Sequence, residues 1–239
     1  MRKIGFIGVL ISYYWCQARA QTAVPPDMLS AFRSPSTAWQ LMGSVTGNPA
    51  STTLTYQPGI GVLVNNRLEK LYNPADNLIT VWEHGDLYLE LDFMVPKGSN
   101  SGLYFQGRYE VHLFDSWGVE SPTYIDCGSI YERWDVGRGK GKEGYEGRPP
   151  RRNAARAPGE WQHLEVDFEA PQFDVSGRKV KQARFVSVLL NGTLIQQDAF
   201  VSGPTRAAVA NTEVPRAPLM IQGDHGVIAF RNIRYTVKN

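Results

Sequence analysis

Residues 86–113 read DLYLELDFMVPKGSNSGLYFQGRYEVHL, and their spacing decides the fold class. Leu87, Leu89, Leu91, Phe93 and Val95 alternate with Tyr88, Glu90, Asp92 and Met94. Successive side chains of a strand point to opposite faces, so this period of two predicts a half-buried β-strand. Pro96–Asn100 is a turn cluster. Beyond it the alternation resumes. Leu103, Phe105, Tyr109, Val111 and Leu113 share one face, with Gly107 between them, and Tyr104, Gln106, Arg108, Glu110 and His112 share the other. The two runs read as neighbouring strands with one apolar and one polar face.

The rest of the chain repeats the pattern. Trp161–Phe168 alternates, with Leu164, Val166 and Phe168 apolar. Arg184–Leu190, then Asn191-Gly192, then Thr193–Gln197 reads as a hairpin, because Asn-Gly tolerates the positive φ angles of a type I′ turn. Phe230–Val237 is a terminal strand. No window holds a capped 3.6-residue apolar period, and no long repeat is present. With 23 Gly, 15 Pro and 11% aromatic residues, the sequence predicts an all-β, single-domain antiparallel β-sandwich.

Composition narrows the function. Apolar residues make up 42% of the 239-residue chain, and 25 Lys+Arg face 23 Asp+Glu. That mix argues against a disordered chain, and the balanced charge offers no positive field to nucleic acid. The basic stretch 137–159, with Arg138, Lys140, Lys142, Arg148, Arg151, Arg152 and Arg156 among Gly and Pro, reads as a solvated loop. Tyr145 alone among its residues could stack a base. HExxH, CxxC pairs, GxSxG, P-loop and GxGxxG motifs are lacking, so no nucleotide or organic cofactor is expected.

Arg2 and Lys3, the apolar run Ile4–Tyr14 and Ala18-Arg19-Ala20 form a signal-peptide pattern with cleavage before Gln21. The chain is thus expected to be exported, to the periplasm or beyond, with residues 1–20 removed, 21–36 a flexible entry segment and 37–239 the sandwich. No second apolar stretch is long enough to span a membrane as a helix. Removing the signal takes away three basic residues and no acid, which leaves 22 basic against 23 acidic. Cys127 is then the sole cysteine and reads as a buried small apolar residue. Nothing in the pattern fixes an oligomeric state.

Chemistry is expected on the polar face. Tyr104, Gln106, Arg108, Glu110 and His112 stand in a row, with Tyr88, Glu90 and Asp92 beside them if the first strand is adjacent. Aromatic faces pack against sugar C–H groups, and planar polar side chains bond pairs of hydroxyls, so the face suits a carbohydrate.

Asn100–Val111 and Leu113–Ser116 resemble the signature of the 3-keto-disaccharide hydrolase domain family. Matching pieces follow in order: Cys127–Tyr131, Pro158–Gln162, Leu190–Gly192, Gly203–Thr205, Gln222–Gly226 and Phe230–Ile233. They span roughly residues 37–238. The resemblance implies a concanavalin A-like (jelly-roll) sandwich acting on glycosides already oxidised at C3. It departs at His112, where the family more often carries Gln. A C3 ketone acidifies the C2 hydrogen. Proton removal, loss of the C1 oxygen and addition of water then amount to hydrolysis. This path needs a base near C2, a cation or donor near the C3 oxygen and an acid near the leaving oxygen.

Within the resemblance, Glu110 or His225 is the expected base, and Arg108 the stabiliser of the enolate. Tyr104, Gln106, His112, Trp117 and Gln222 are expected to contact sugar, with Glu90, Asp92, Asp115 and Asp224 as further contacts. Asp115, Asp224 and His225 are the candidate ligands of a divalent cation, should one take part. Two alternatives stay open. Glu90, Asp92 and Glu110 could supply the paired carboxylates of an ordinary glycosidase, or the sandwich could be a non-catalytic carbohydrate-binding module.

Overall fold

The computed structural model describes residues 21–25, 27–67 and 72–238. The signal-peptide pattern lies outside them. Eleven strands of five or more residues build two antiparallel sheets: β1 (Trp39–Gly47), β2 (Leu54–Asn65), β3 (Leu78–His84), β4 (Leu87–Met94), β5 (Asn100–Phe105), β6 (Tyr109–Phe114), β7 (Gln162–Glu169), β8 (Ala183–Leu190), β9 (Thr193–Val201), β10 (Ala217–Ile221) and β11 (Ile228–Val237). The large sheet has the order β9-β8-β7-β4-β11-β2-β1, with Thr22–Ala23 paired to β11. In the small sheet Phe32–Arg33 pairs with β3, and the order continues β3-β10-β5-β6. This is the antiparallel sandwich expected from the alternation.

The core lies between the sheets. Leu87, Leu89, Leu91 and Phe93 of β4 face inward, as do Leu103, Phe105, Tyr109, Val111 and Leu113 of β5 and β6, and all are buried. Phe105, Phe168 and Phe185 pack as a triad with ring centroids 5.1–5.3 Å apart. Each such side chain gains roughly 1.5–3 kcal/mol from burial. A smaller apolar cluster of Met42, Val45, Leu54, Val62, Val64 and Met94 includes both strands of the β1–β2 hairpin. Its presence explains why Met94 sits among the outward residues of β4.

Three expectations are corrected. The runs 86–95 and 103–113 are not neighbouring strands. Strand β4 pairs with β7 and β11 in the large sheet, whereas β5 and β6 belong to the small one. The second run is also two strands rather than one. Gln106 and Gly107 both have positive φ (55° and 64°) and Arg108 N–H donates to Phe105 O (3.0 Å), a type I′ turn, while Phe105 pairs with Tyr109, so three residues connect the two strands. The entry segment is likewise docked. Met28 and Phe32 are apolar and buried in the core, and Phe32–Arg33 adds an edge to the small sheet. The Asn191-Gly192 hairpin is present, with φ of 53° and 76°.

Candidate active site

The β5–β6 hairpin sets the site. Tyr104 lies opposite Glu110, and Gly102 opposite His112. These residues share the face of the small sheet turned away from the core. They floor a cavity of about 520 Å³ whose walls come from three loops carrying Tyr131, Arg206 with Ala207, and Gln222 with Asp224 and His225. Tyr72 and Asn100 complete it.

Glu110 is the most constrained of these groups. Its carboxyl occupies the space over Gly102, where a Cβ would lie 2.3 Å from Oε1. The residue is 1% exposed, and Oε2 is buried without a hydrogen-bond partner. Burial, reinforced by the nearby charge of Asp224, pushes its pKa up to about 8, although the Tyr104 hydroxyl beside it favours the anion. Glu110 is therefore predominantly a neutral acid at pH 7. Burial also holds Tyr104 well above the usual phenol range, and its hydroxyl donates to Arg206 O (3.2 Å).

The Gln222–Gly226 segment brings a histidine to the same cavity. His225 Nδ1 and Asp224 Oδ1 are 2.5 Å apart. The carboxylate accepts a hydrogen bond from Nδ1–H, so in the neutral imidazole it is Nε2 that carries the lone pair. Tyr72 packs edge-on against the His225 ring at 4.7 Å. The backbone of this turn is pinned at several points. Gln222 N–H donates to Gly102 O (2.9 Å), Ser101 Oγ to Gln222 O (2.7 Å), and Asn65 Nδ2 to Gly223 O (2.5 Å). Gly223 is required because a Cβ would lie 2.1 Å from Asp76 O.

The cation of the cavity is Arg206, which sequence reasoning missed. Its guanidinium lies 3.9 Å above the Trp134 ring and its Nη1 stands 3.4 Å from Glu132 Oε1. The available signal was Gly203-Pro204-Thr205 immediately before it. Thr205 Oγ1 donates to Arg108 O (2.9 Å) and accepts from Glu110 N–H (3.2 Å), which fixes the loop to the hairpin.

Several expected residues stand elsewhere. Arg108 does not line the cavity. Beside the hairpin turn, its Nε donates to Thr212 O and its Nη1 to Gln106 O, both at 2.6 Å. Gln106, at the turn itself, is buried. Its N–H donates to His84 Nε2 (2.9 Å) and its amide to His84 O and Pro215 O. Asp115 accepts from Gly98 N–H (3.0 Å) and Trp117 N–H (3.4 Å), a loop-capping role, and Trp117 is exposed away from the cavity lining. Glu90 and Asp92 lie on the large sheet. Asp92 meets His163 Nδ1 (2.8 Å), Asn232 Nδ2 (2.8 Å) and Arg231 Nε (3.1 Å), while Glu90 accepts from Gln21 (3.0 Å). They cannot pair with Glu110 across a sugar. Tyr104, Glu110, His112, Gln222, Asp224 and His225 are brought together.

The proposed cation ligands do not form a set. Asp115 is used in its loop, Asp224 is engaged by His225, and among the described residues no three His, Cys, Asp or Glu side chains converge as metal donors. Cys127 is buried, and burial raises its thiol to about 12, so it is a packing residue. The arginines of the basic loop are largely used locally. Arg138 stacks on Tyr145 (4.3 Å), Arg148 donates to Gln197 O (3.0 Å), and Arg156 donates to Trp161 O (3.0 Å). A second cleft of about 540 Å³, beside Arg151, Arg152 and the Gly192 turn, holds no acid–base group.

The family profile described as the 3-keto-alpha-glucoside-1,2-lyase-like domain matches residues 35–236. No curated protein matches the chain in sequence. Among solved structures, a candidate glycosyl hydrolase from Parabacteroides distasonis ATCC 8503 is 21% identical, with a TM-score of 0.60 over 99% of this chain and 100% of that one. Another candidate glycosyl hydrolase from the same organism is 22% identical, with a TM-score of 0.49 over 84% and 99%. The first of these likenesses shows the shared fold. Among the described residues no helix is long and apolar enough to cross a membrane.

Proposed function

The chain belongs to the 3-keto-alpha-glucoside-1,2-lyase-like domain family, a carbohydrate-active family, and from that premise we propose that it cleaves 3-keto-glycosides by elimination followed by hydration. One observation carries this reading. A buried, protonated carboxyl (Glu110), an Asp-supported imidazole (His225) and a guanidinium (Arg206) line a single cavity. Burial leaves Glu110 able to give a proton, and the Asp224 contact at Nδ1 leaves Nε2 of the neutral His225 imidazole able to take one.

His225 Nε2 takes the C2 proton, and the C–H electrons form an enolate whose charge rests on the C3 oxygen beside Arg206. The enolate then collapses to the C1=C2 double bond as the C1–O bond breaks, and Glu110 gives its proton to the leaving oxygen. In the hydration, Glu110 takes a proton from water as its hydroxide adds to C1, and protonated His225, its proton exchanged with solvent, protonates C2, which returns both residues to their starting states. Asp224 holds the His225 tautomer and stabilises the imidazolium that forms. Tyr104 and Gln222 line the sugar-binding floor. The chain acts outside the cytoplasm if residues 1–20 serve as the export signal.

The test uses a 3-keto-α-glucoside deuterated at C2, with the unoxidised glucoside as its control. Release of 3-keto-glucose with loss of the C2 deuterium to solvent, and no cleavage of the control, is expected. Cleavage that retains all the deuterium would point to an ordinary glycosidase. Binding without turnover of either compound would leave a carbohydrate-binding module.

A further inference from the structure

His225 is held through two contacts, and both lead to one buried ion pair. The first runs through its own turn, which is gripped at Gly223. Gly223 N–H donates to Asn77 Oδ1 (2.9 Å), and Gly223 O accepts from Asn65 Nδ2 (2.5 Å). Its Cα lies so close to Asp76 O that no side chain fits. The second is Tyr72, edge-on to the His225 ring at 4.7 Å. Tyr72 is 60% exposed, so burial does not hold it, and its φ is 48°, which a bulky residue adopts only under constraint. Arg67 and Asp76 bracket Tyr72 in the chain, and their side chains meet. Arg67 Nε is 2.6 Å from Asp76 Oδ2, and Nη2 donates to Oδ1 (3.0 Å). Asp76 is 1% exposed. Its Oδ1 also accepts from Ser36 Oγ (2.7 Å), and its backbone oxygen accepts from Trp39 Nε1 (2.6 Å). Arg67 N–H donates to Asn65 Oδ1 (2.8 Å), which closes the circuit back to Gly223.

We propose that Arg67 and Asp76 are positioning residues for His225: their pair fixes the turn that carries Asp224 and His225 and the tyrosine that abuts the ring, so that the proton stays on Nδ1 and Nε2 stays open to the cavity. A buried ion pair adds little to stability, because desolvation offsets the attraction. What it supplies is a single geometry. Its directional bonds admit one arrangement of residues 65, 67, 76 and 77, where apolar contacts would admit several. Asn65, Asp76 and Asn77 all touch Gly223, one residue from Asp224, so a shift in the pair is passed to the imidazole with little slack. The role of His225 as the base rests on the function proposed above. The orientation of its ring by the pair does not.

Two measurements on the full chain test this. The first is the spectrum of protein carrying 15N-histidine at about pH 8.5, above the ordinary imidazole range. In the wild type, His225 is expected to show a single tautomer with its proton on Nδ1. The double variant Arg67→Met/Asp76→Asn removes the pair without leaving a buried charge. In it the His225 signals should move to an average of two tautomers, while His84, His112 and His163 keep their wild-type positions. Asn77→Ala leaves the pair in place but takes the acceptor from Gly223 N–H, and it should act in the same sense. Asn77→Asp keeps an acceptor there and should return the wild-type spectrum. Thermal melts show whether each variant is folded, and if the double variant is not, the two Asn77 variants decide. An unchanged His225 spectrum in either folded variant overturns the proposal, as does a wild-type His225 with its proton on Nε2. The second measurement is turnover of methyl 3-keto-α-glucoside. Misplacing the base should lower kcat at least tenfold in the double variant and in Asn77→Ala, with KM within about twofold of the wild type. An altered His225 spectrum with unchanged kcat upholds the positioning and counts against His225 as the base, so the two readings fail separately.

Discussion

At the scale of single residues, Glu110 links stability to chemistry. Its folded-state pKa, about 8, lies above the ordinary 4.5. Folding therefore favours the protonated form. The resulting stability is complete below about pH 4.5 and is lost as the pH rises through 8. Glu110→Gln removes this dependence. Chemical denaturation at pH 5 and pH 9 should show the variant gaining on the wild type by a few kcal/mol at the higher pH. The same variant should lose about 10²–10⁴ in kcat, as expected when a general acid is removed. In the wild type, kcat/KM should fall above about pH 8 as Glu110 ionises. Arg206→Ala is expected to cost a similar factor with little change in melting temperature, because the side chain is half exposed and its ion pair with Glu132 is long. Glu110 and His225 were legible in the sequence because they stand in matching motif pieces. Arg206 was not, since it follows an irregular loop where no period marks direction. Arg108 misled for a related reason. It has the parity of Glu110, but the chain has turned before reaching it.

At the scale of elements, the β5–β6 hairpin positions both sides of the site. Because three residues, an odd number, lie between the paired Phe105 and Tyr109, the hairpin preserves the parity of the alternation while bringing Tyr104 beside Glu110 instead of six residues along one strand. For Tyr104, Glu110 and His112 the shared face inferred from the spacing therefore survived the wrong assumption of a single strand, whereas Gln106 and Arg108 fall at the turn. Gly102 is the critical position. Gly102→Ala places a methyl in the space of the Glu110 carboxyl and should cost roughly 1–3 kcal/mol, as overpacking does. Turnover should fall at least tenfold as Glu110 is displaced. Arg108 acts through the loop that follows β9. Arg108→Met leaves Thr212 O and Gln106 O without their donor. We expect roughly 2 kcal/mol of destabilisation in denaturant melts and a raised KM, because Arg206 rides on that loop.

At the scale of the whole molecule, the two sheets separate polar groups that the sequence lists together. Glu90 and Asp92 face solvent from the large sheet, engaged by Gln21, His163, Arg231 and Asn232. Asp92→Asn and Glu90→Gln should leave kcat/KM within about twofold of the wild type, since substitutions away from the site act weakly. A tenfold loss in either variant would show that the large sheet takes part in catalysis. The core itself was readable. Leu87–Phe93 and Leu103–Leu113 bury their predicted faces, and the Asn191-Gly192 turn forms where its φ requirement placed it. Strands β1, β2, β3 and β10 escaped notice. In β2, Pro58, Gly59 and Gly61 interrupt the alternation, and β10 has only five residues with Pro218 among them.

Alternation is a local property, because each peptide unit turns its side chain to the face opposite the last. The sequence by itself therefore determined that the chain is β and which apolar side chains meet the core, and it grouped Tyr104, Glu110 and His112 on one face. Whether two alternating strands lie side by side or face each other across a core is decided by long-range pairing, and either arrangement buries the same residues. Only the tertiary structure could send Glu90 and Asp92 to one surface and Glu110 to the other. It also placed Arg206 and His225, which lie far along the chain from Glu110, over the same cavity.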